Sequence, residues 1–327
     1  MIVAAHHGES VDSGAVMRSL AKTLVRGIGR VRTPWERDGL VLDPEMTVIC
    51  SADRFFPRLY DISPERSRAR YLRSCKLAGP DRVELDSIED TGNLRVYRPS
   101  ASADRALLYI HGGGFVIGSI ATHDSICRRL ARDSGRVVCS LEYRLAPEHP
   151  FPAAVEDVLA AWETVSAMGF SSVAVGGDSA GGNLSAVLAQ TAPGVEAQLL
   201  IYPGCDMATR YPSEDLMAAD LLLSDELIRW FLDQYVGDAD RADPRLSPLR
   251  GVRPDLPPAW VIVAGFDPLR DEGIAMFQRL RDAGVTAELV RFDSLPHGFL
   301  NVAGLSAAAD AALTAIGSLI RVDSGHG

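Results

Sequence analysis

The pentapeptide Gly177-Asp178-Ser179-Ala180-Gly181 has the residue types and spacing of a serine nucleophile. It lies between a predicted buried strand, Val173 to Gly176, and a predicted helix, Gly182 to Gln190. A serine on a tight strand-to-helix turn presents its hydroxyl above the sheet, and the flanking residues must be small because larger side chains would collide with neighbouring elements. The pentapeptide by itself fits a simple chain reversal or a phosphate-binding turn as well. Its interpretation therefore depends on partners elsewhere in the chain.

A run of glycines follows a second predicted strand. The apolar Leu107 to Ile110 leads directly into His111-Gly112-Gly113-Gly114-Phe115. Acyl transfer builds negative charge on a carbonyl oxygen, and consecutive glycines allow backbone N–H groups to approach that oxygen closely. A dinucleotide-binding loop is the competing interpretation, but Ile117 stands where its third glycine would fall. No Gly-Lys-Ser/Thr occurs, so the sequence also excludes a P-loop.

A base and an orienting acid are predicted at the ends of two later strands. His297 follows the strand-like Ala287 to Phe292, and Asp267 follows the apolar strand Trp260 to Ala264. The carboxyl ends of parallel strands are where α/β active sites assemble. The chain order of serine, aspartate and histidine is the one expected of an α/β-hydrolase.

Three other carboxylates could serve as the acid. Asp271 and Glu272 resemble first-turn residues of a helix, a position that the helix dipole favours for acids. Asp293 sits at the end of its own strand. Asp267 is therefore preferred to all three.

Six other histidines compete with His297 as the base. His111 adjoins the glycines and is expected to brace that loop by hydrogen bonding, and His123 reads as the start of a helix. The others lie in a proline-rich turn or near the termini: His149, His6, His7 and His326. His297 is therefore the preferred base.

Together these segments resemble the hormone-sensitive-lipase-like family of carboxylesterases, in the bacterial branch that carries Gly-Asp-Ser-Ala-Gly. The matching stretches run in family order: 111–115, 143–154, 177–184, 267–273 and 297–299. The resemblance implies an α/β-hydrolase fold, with a mostly parallel central sheet flanked by helices and capped by further helices. It also implies a reaction on carboxylic esters that needs no cofactor.

The resemblance carries over roles for individual residues. Ser179 is implied to be the nucleophile, His297 its base and Asp267 the acid that orients the base. Three backbone N–H groups are implied to form the oxyanion hole: those of Gly113, Gly114 and Ala180. The partner is a small-molecule ester, and a homodimer is suggested by the family alone.

Three charged residues are predicted to support this site. Asp178, beside the nucleophile, is expected to be a structural hydrogen-bonding partner rather than a catalyst. Glu148 and Arg144 are expected to form a buried network, because charged residues in so proline-constrained a segment need partners. His111, Asp178 and Glu148 are thus the predicted supporting residues.

Composition excludes several classes of function. A net charge of −10 argues against a nucleic-acid partner, because a phosphate backbone would be repelled. Five cysteines without a Cys-x-x-Cys spacing indicate buried free thiols and no metal site. No apolar stretch reaches 18 residues, and Met1 to Ala5 lacks the features of a signal peptide. A cytoplasmic location is the resulting expectation.

Strand and helix patterns alternate from about Arg82, which predicts a catalytic domain of residues 81–205 and 251–327. The alternation stops after the strand at 198–202. Residues 206–250 are predicted to be a cap insertion with one helix, Asp225 to Tyr235, capped by Ser224 and stopped by Gly237. Residues 1–80 supply the other cap segment, of which 1–40 extend beyond the family pattern.

The amino-terminal extension contains a basic amphipathic helix. Its apolar stripe consists of Met17, Leu20, Leu24, Ile28 and Val31. Gly14 to Trp35 holds five basic residues and no acidic one, whereas 206–250 has a local charge of −5. Such a helix can lie on a membrane surface. We favour docking on the acidic insertion over binding to a membrane surface.

The sequence thus predicts a serine carboxylesterase that acts on short- to medium-chain acyl esters through an acyl-enzyme intermediate. A cap drawn from two segments should close a finite pocket rather than leave an open interfacial surface. Two alternatives remain. An amidase or peptidase would use the same triad, and a non-catalytic ligand-binding receptor would use the same fold.

Overall fold

Short runs of buried apolar residues form the central strands of this protein, described by a computed structural model over residues 13–100 and 104–321. His6, His7 and His326 lie outside the described residues. The strands are β1 (Glu36–Arg37), β2 (Leu40–Val41), β3 (Ser87–Thr91), β4 (Leu94–Arg98), β5 (Arg105–Ile110), β6 (Val137–Leu141), β7 (Ser172–Asp178), β8 (Val195–Ile201), β9 (Ala259–Phe266) and β10 (Ala287–Pro296). The helices are α1 (Ser13–Gly29), α2 (Pro44–Asp53), α3 (Pro64–Ala78), α4 (Ile120–Ser134), α5 (Ala153–Ser166), α6 (Ala180–Thr191), α7 (Pro212–Leu216), α8 (Asp225–Tyr235), α9 (Arg270–Asp282) and α10 (Ala307–Leu319).

Eight strands form one sheet in the order β10-β9-β8-β7-β5-β6-β4-β3. Strands β5 to β10 run parallel, and β3 and β4 are antiparallel at one edge. The chain leaves β5 for β6 on one side and returns to β7 on the other. The carboxyl ends of β5 and β7 therefore meet at a reversal of strand order, which is where ligands bind in open α/β sheets.

The strand register determines which loops become neighbours. Ile110 of β5 pairs with Gly177 of β7, so the glycine loop and the serine turn emerge side by side. Phe266 of β9 pairs with Pro296 of β10, and the residues that follow each of them are therefore adjacent. The mostly parallel sheet of an α/β-hydrolase, predicted from the sequence, is confirmed.

Alternate residues of β5 face two helical layers. Leu107 and Tyr109 pack in the core that includes α4 and α10, whereas Leu108 and Ile110 pack in the core that includes α5 and α6. All four side chains are fully buried. Each such side chain contributes about 1.5–3 kcal/mol relative to exposure, which is why this strand is apolar on both faces.

The segment between β8 and β9 contains helices and no strand, as predicted. Helix α8 has the predicted bounds, and the Ser224 hydroxyl accepts a hydrogen bond from the N–H of Leu227. Gly237, just past its end, has φ 58°, a left-handed conformation that suits glycine. All five cysteines are buried and free of disulfides, also as predicted.

Helix α1 packs against α2 and α3, not on the acidic insertion. Val25 is buried and Ala21 half-buried on the flank that makes this contact. The predicted stripe is left exposed: Met17, Leu20, Leu24, Ile28 and Val31. Lys22 and Arg26 pair with Asp81 and Glu45, outside the insertion. The predicted docking through the stripe is therefore wrong, because a neighbouring flank of the helix supplies the contact.

Within the described chain, no helix combines the length and the apolar character needed to cross a bilayer.

Candidate active site

Three side chains from different strand ends form one hydrogen-bonded chain. The Ser179 hydroxyl lies 2.9 Å from Nε2 of His297, and Nδ1 of His297 lies 2.8 Å from Oδ2 of Asp267. With Nδ1–H donating to the carboxylate, Nε2 is free to accept the serine proton. Asp267 is fully buried, and its other oxygen accepts a hydrogen bond from the N–H of Leu269 at 2.8 Å. The carboxylate is thereby held in one orientation.

The backbone at Ser179 is strained in the way a nucleophile turn requires. Its φ of 55° and ψ of −117° lie outside the regions that non-glycine residues normally adopt. A Cβ atom on Gly177 or Gly181 would meet the carbonyl oxygen of Ile110 in β5. The two glycines of the motif are therefore needed because β5 passes directly beneath the turn.

The glycine loop presents free N–H groups beside the serine. Gly113 has φ 123° and Gly114 φ 58°, which both favour glycine. No hydrogen bond within the described part of the chain occupies the N–H groups of these two residues. Ala180 begins α6, so its N–H is among those that a helix leaves unpaired. All three residues line the same cavity as Ser179.

A buried carboxylate ties this loop to the serine strand. Asp178 Oδ1 accepts hydrogen bonds from the Gly112 N–H at 3.0 Å and the Tyr109 hydroxyl at 2.8 Å. Nε2 of His123 lies 3.2 Å from the same oxygen. Burial raises the pKa of Asp178, but the attraction of His123 and the hydrogen bonds outweigh it and lower the pKa overall. Asp178 is therefore an ionised anchor for the glycine loop.

His111 braces the loop from the other side. Its Nδ1 donates to the carbonyl of Gly112 at 2.9 Å, and its ring stacks on Tyr143 at 4.3 Å. The Tyr143 hydroxyl in turn donates to the His111 carbonyl at 2.9 Å. Burial, followed by repulsion from His123, lowers the pKa of His111 to about 3. The ring is therefore neutral at physiological pH.

The competing carboxylates are engaged elsewhere. Glu272, in the first turn of α9, accepts from the N–H groups of Cys205 and Asp206, and burial raises its pKa well above the usual range. Asp271 accepts from the N–H of Ser213 at 2.9 Å. Asp293 pairs with a neighbouring arginine at the surface. Within the described residues, Asp267 is the only carboxylate at hydrogen-bonding distance from His297.

The predicted buried network of Glu148 and Arg144 is wrong. Both side chains are exposed, and Arg144 pairs with Asp157 and Glu156 on α5. Glu148 forms a bidentate pair with Arg68 of α3 at 2.9 and 2.6 Å, which lowers the pKa of Glu148 to about 2. Both residues thus lie at the surface, and each pairs with residues other than the predicted partner.

A cavity of about 1410 Å³ opens above the serine. Phe231 of α8 lines it and packs on Gly114, where an added Cβ would meet its ring. Tyr235, one turn further, stacks on Phe115 with centroids 3.9 Å apart. Trp230 is absent from the described cavity lining. Helix α8 thus covers the glycine loop and forms one wall of the cavity.

No group of three or more metal-ligating side chains occurs among residues 13–100 and 104–321.

Sequence reasoning missed the partners of Asp178. His123 reads only as the start of a helix, and Tyr109 only as one more residue of an apolar strand. The available signal was a carboxylate at the end of a buried strand, which requires several donors or a cation. That signal predicts the type of partner but not its position in the chain.

Comparison with known proteins agrees with this geometry. A family model described as alpha/beta hydrolase fold matches residues 107–301. The chain is 41% identical to the carboxylic ester hydrolase LipN of Mycobacterium tuberculosis, over 87% of this chain and 84% of that protein. It is 36% identical to an ethyl acetate hydrolase of Pseudomonas putida, over 81% and 92%. The solved esterase of Pyrobaculum calidifontis superposes with a TM-score of 0.79 at 36% identity, over 85% and 98%.

Proposed function

This chain belongs to the hormone-sensitive-lipase-like carboxylesterases of the alpha/beta hydrolase fold, and we propose that it cleaves short- to medium-chain acyl esters with Ser179 as nucleophile. It is a carboxylic ester hydrolase that acts on small-molecule esters. The observation that supports Ser179 is its contact with His297 at 2.9 Å, continued to Asp267 at 2.8 Å.

In the first step His297 takes the proton of Ser179 as the serine oxygen attacks the ester carbonyl. Asp267 keeps Nδ1 of His297 protonated and stabilises the imidazolium that forms. His297 then passes the proton to the departing alcohol, which leaves an acyl-enzyme on the serine oxygen. Water activated by His297 attacks this ester and releases the acid.

The negative charge of each tetrahedral intermediate falls on the carbonyl oxygen. We assign its stabilisation to the N–H groups of Gly113, Gly114 and Ala180, because these groups line the cavity beside the serine. Preorganised donors of this kind are effective because they need not reorient during the reaction, and loss of one costs about 10²–10³ in rate. Asp178 and His111 act through Gly112, which they hold by both its N–H and its carbonyl.

We further propose that residues 1–80 and 206–250 form a cap over a catalytic domain of 81–205 and 251–327. The support is the cavity wall, since α3 and α8 line the same cavity as the serine. Phe231 against Gly114 narrows the space beside the proposed oxyanion hole. The similarity to an ethyl acetate hydrolase supports the preference for short acyl groups. The five buried thiols support a cytoplasmic location.

Replacement of the nucleophile tests the assignment. Ser179→Ala should abolish ester hydrolysis and leave the fold intact, as judged by circular dichroism. An organophosphonate should label wild-type protein at Ser179 and nowhere else, as judged by peptide mass spectrometry. Labelling of another residue, or substantial activity in the variant, would refute the triad.

A substrate panel tests the substrate class. Hydrolysis of dissolved esters should be fastest for short and medium acyl groups, and matched amides should be cleaved far more slowly. A rate that jumps once a long-chain ester exceeds its solubility would contradict the proposed acyl preference. Amide cleavage at the ester rate would favour the amidase alternative.

A further inference from the structure

Helix α1 leaves its most apolar face uncovered. Leu20 is 61% exposed, Leu24 63% and Val31, just beyond the helix, 86%. Met17 and Ile28 lie on the same face, since they are spaced by three, four or seven residues from the others. Contiguous apolar surface of this kind is rare on monomeric proteins and marks an interaction site.

The apolar face continues onto the turn after α2. Phe55 is 88% exposed, and the exposed Phe56 lines the rim of the active-site cavity. Leu24 of α1 and Leu77 of α3 line the same rim and are also exposed. The uncovered surface therefore adjoins the cavity through Leu24, Phe56 and Leu77. A partner seated on it would lie next to the entrance through which an ester reaches Ser179.

The same region is strongly basic in a chain that is acidic as a whole. Gly14 to Trp35 contains five basic residues and no acidic one, and α3 contains five basic residues and one acidic residue. Arg30 and Arg32 are exposed and make no ion pair within the described chain, and the same holds for Arg66 and Arg73 on α3. These four arginines are thus not neutralised by carboxylates of the described residues, whereas Lys22, Arg26, Arg68 and Arg70 are paired.

We propose that α1 and the Phe55–Phe56 turn form a docking surface for an anionic lipid bilayer. An amphipathic helix with an apolar face and flanking cations lies in the plane of a bilayer interface, with its apolar side chains among the acyl chains and its cations at the headgroups. The cavity mouth then faces the headgroups, where apolar esters concentrate. Charge complementarity favours an anionic bilayer over a second copy of this chain, because a second copy would bring two like-charged faces together.

Vesicle binding of the full chain tests the proposal. Wild-type protein should co-sediment with vesicles of phosphatidylcholine mixed with phosphatidylglycerol, and far less with phosphatidylcholine alone. Since both side chains are exposed, Met17→Ser combined with Leu20→Ser should keep the melting temperature and lower the partition coefficient at least about tenfold. The control Leu216→Ser removes an apolar side chain of similar exposure, 45%, from α7 and should change nothing.

The cations are tested separately. Arg30→Gln combined with Arg32→Gln should lower binding about tenfold and weaken its dependence on salt, because each cation near an anionic surface adds to the attraction. Binding is measured without turnover, so its failure would leave the proposed esterase function standing. Absence of vesicle binding by the wild type, or binding unchanged by both pairs of substitutions, would overturn the proposal. A dimer that the two serine substitutions dissociate would also overturn it.

Discussion

Among the residues that the structure describes, two histidine–carboxylate pairs lie at the carboxyl edge of the sheet, and they differ in what the histidine can reach. His297 bridges Asp267 and Ser179 and lines the cavity. His123 faces Asp178 and is fully enclosed behind the glycine loop. Both carboxylates are buried, and both follow or end a central strand.

The comparison shows that the pair itself does not make a catalytic site. A histidine becomes a general base when its second nitrogen meets an exchangeable proton on a group open to substrate. Nε2 of His297 meets the serine hydroxyl, whereas Nδ1 of His123, the nitrogen that does not face Asp178, meets the buried hydroxyl of Thr122 at 2.8 Å. The second pair instead provides fixed charge that positions the backbone of Gly112. One pair moves protons, and the other holds the loop that receives the negative charge.

The largest effect is expected from a substitution that disturbs the hydrogen bond between Asp267 and His297. Asp267→Asn should lower kcat by about 10⁴, because the amide favours the wrong tautomer of His297. The melting temperature of Asp267→Asn should change little. The matched variant Asp271→Asn should retain most activity. Steady-state kinetics on a dissolved ester would measure both variants. Equal losses in the two would mean that the acid has been wrongly assigned.

A smaller effect is expected where the loop is loosened. Asp178→Asn should lower kcat by about 10²–10³, the typical effect of one misplaced oxyanion donor, with KM much less affected. It should also destabilise the fold by about 3–5 kcal/mol, because it leaves the buried partners of the carboxylate unmatched. Urea unfolding together with kinetics would separate the two effects. A loss of kcat as large as that of Asp267→Asn would contradict the different roles given to the two histidine–carboxylate pairs.

The smallest effect concerns acid stability rather than rate. The pKa of His111 falls to about 3 in the fold from an ordinary 6.5, so between these values the unfolded chain binds more protons at this position. Stability should therefore decline as pH falls from 6.5 towards 3, and His111→Gln should flatten that decline. Asp178 adds a loss below its ordinary pKa of 3.8. Free energies of unfolding measured between pH 6.5 and pH 3 would check this prediction. The same pH dependence of stability in His111→Gln and in the wild type would contradict the lowered pKa of His111.

Much of the site could be predicted because its residues are adjacent to strands that the sequence reveals. Ser179, Asp267 and His297 each follow or end an apolar run, and parallel strands bring their carboxyl ends to one edge. The small residues around the serine were predictable for the same reason, since a strand must pass beneath the turn. Helix α8 carried its own cap and stop signals, and its bounds were predicted correctly.

Some contacts between residues that are far apart in the chain were not predicted. Glu148 was expected to meet Arg144, four residues away, but meets Arg68, 80 residues away. His123 lies 55 residues from Asp178, and no local pattern indicates that contact. Charge and hydrogen-bonding capacity show that a partner is needed, but many residues satisfy that need.

The sequence by itself determined the strands, the nucleophile turn, the glycine loop and the order of the triad, because each depends on local backbone geometry and apolar periodicity. Tertiary structure alone decided which flank of α1 is covered and which residues surround the buried carboxylate of Asp178. A stripe of apolar residues defines one face of a helix. The shape of the surface against which the helix packs determines which side of that face is covered. In this protein Val25 is covered, whereas Leu20, Leu24 and Val31 remain exposed.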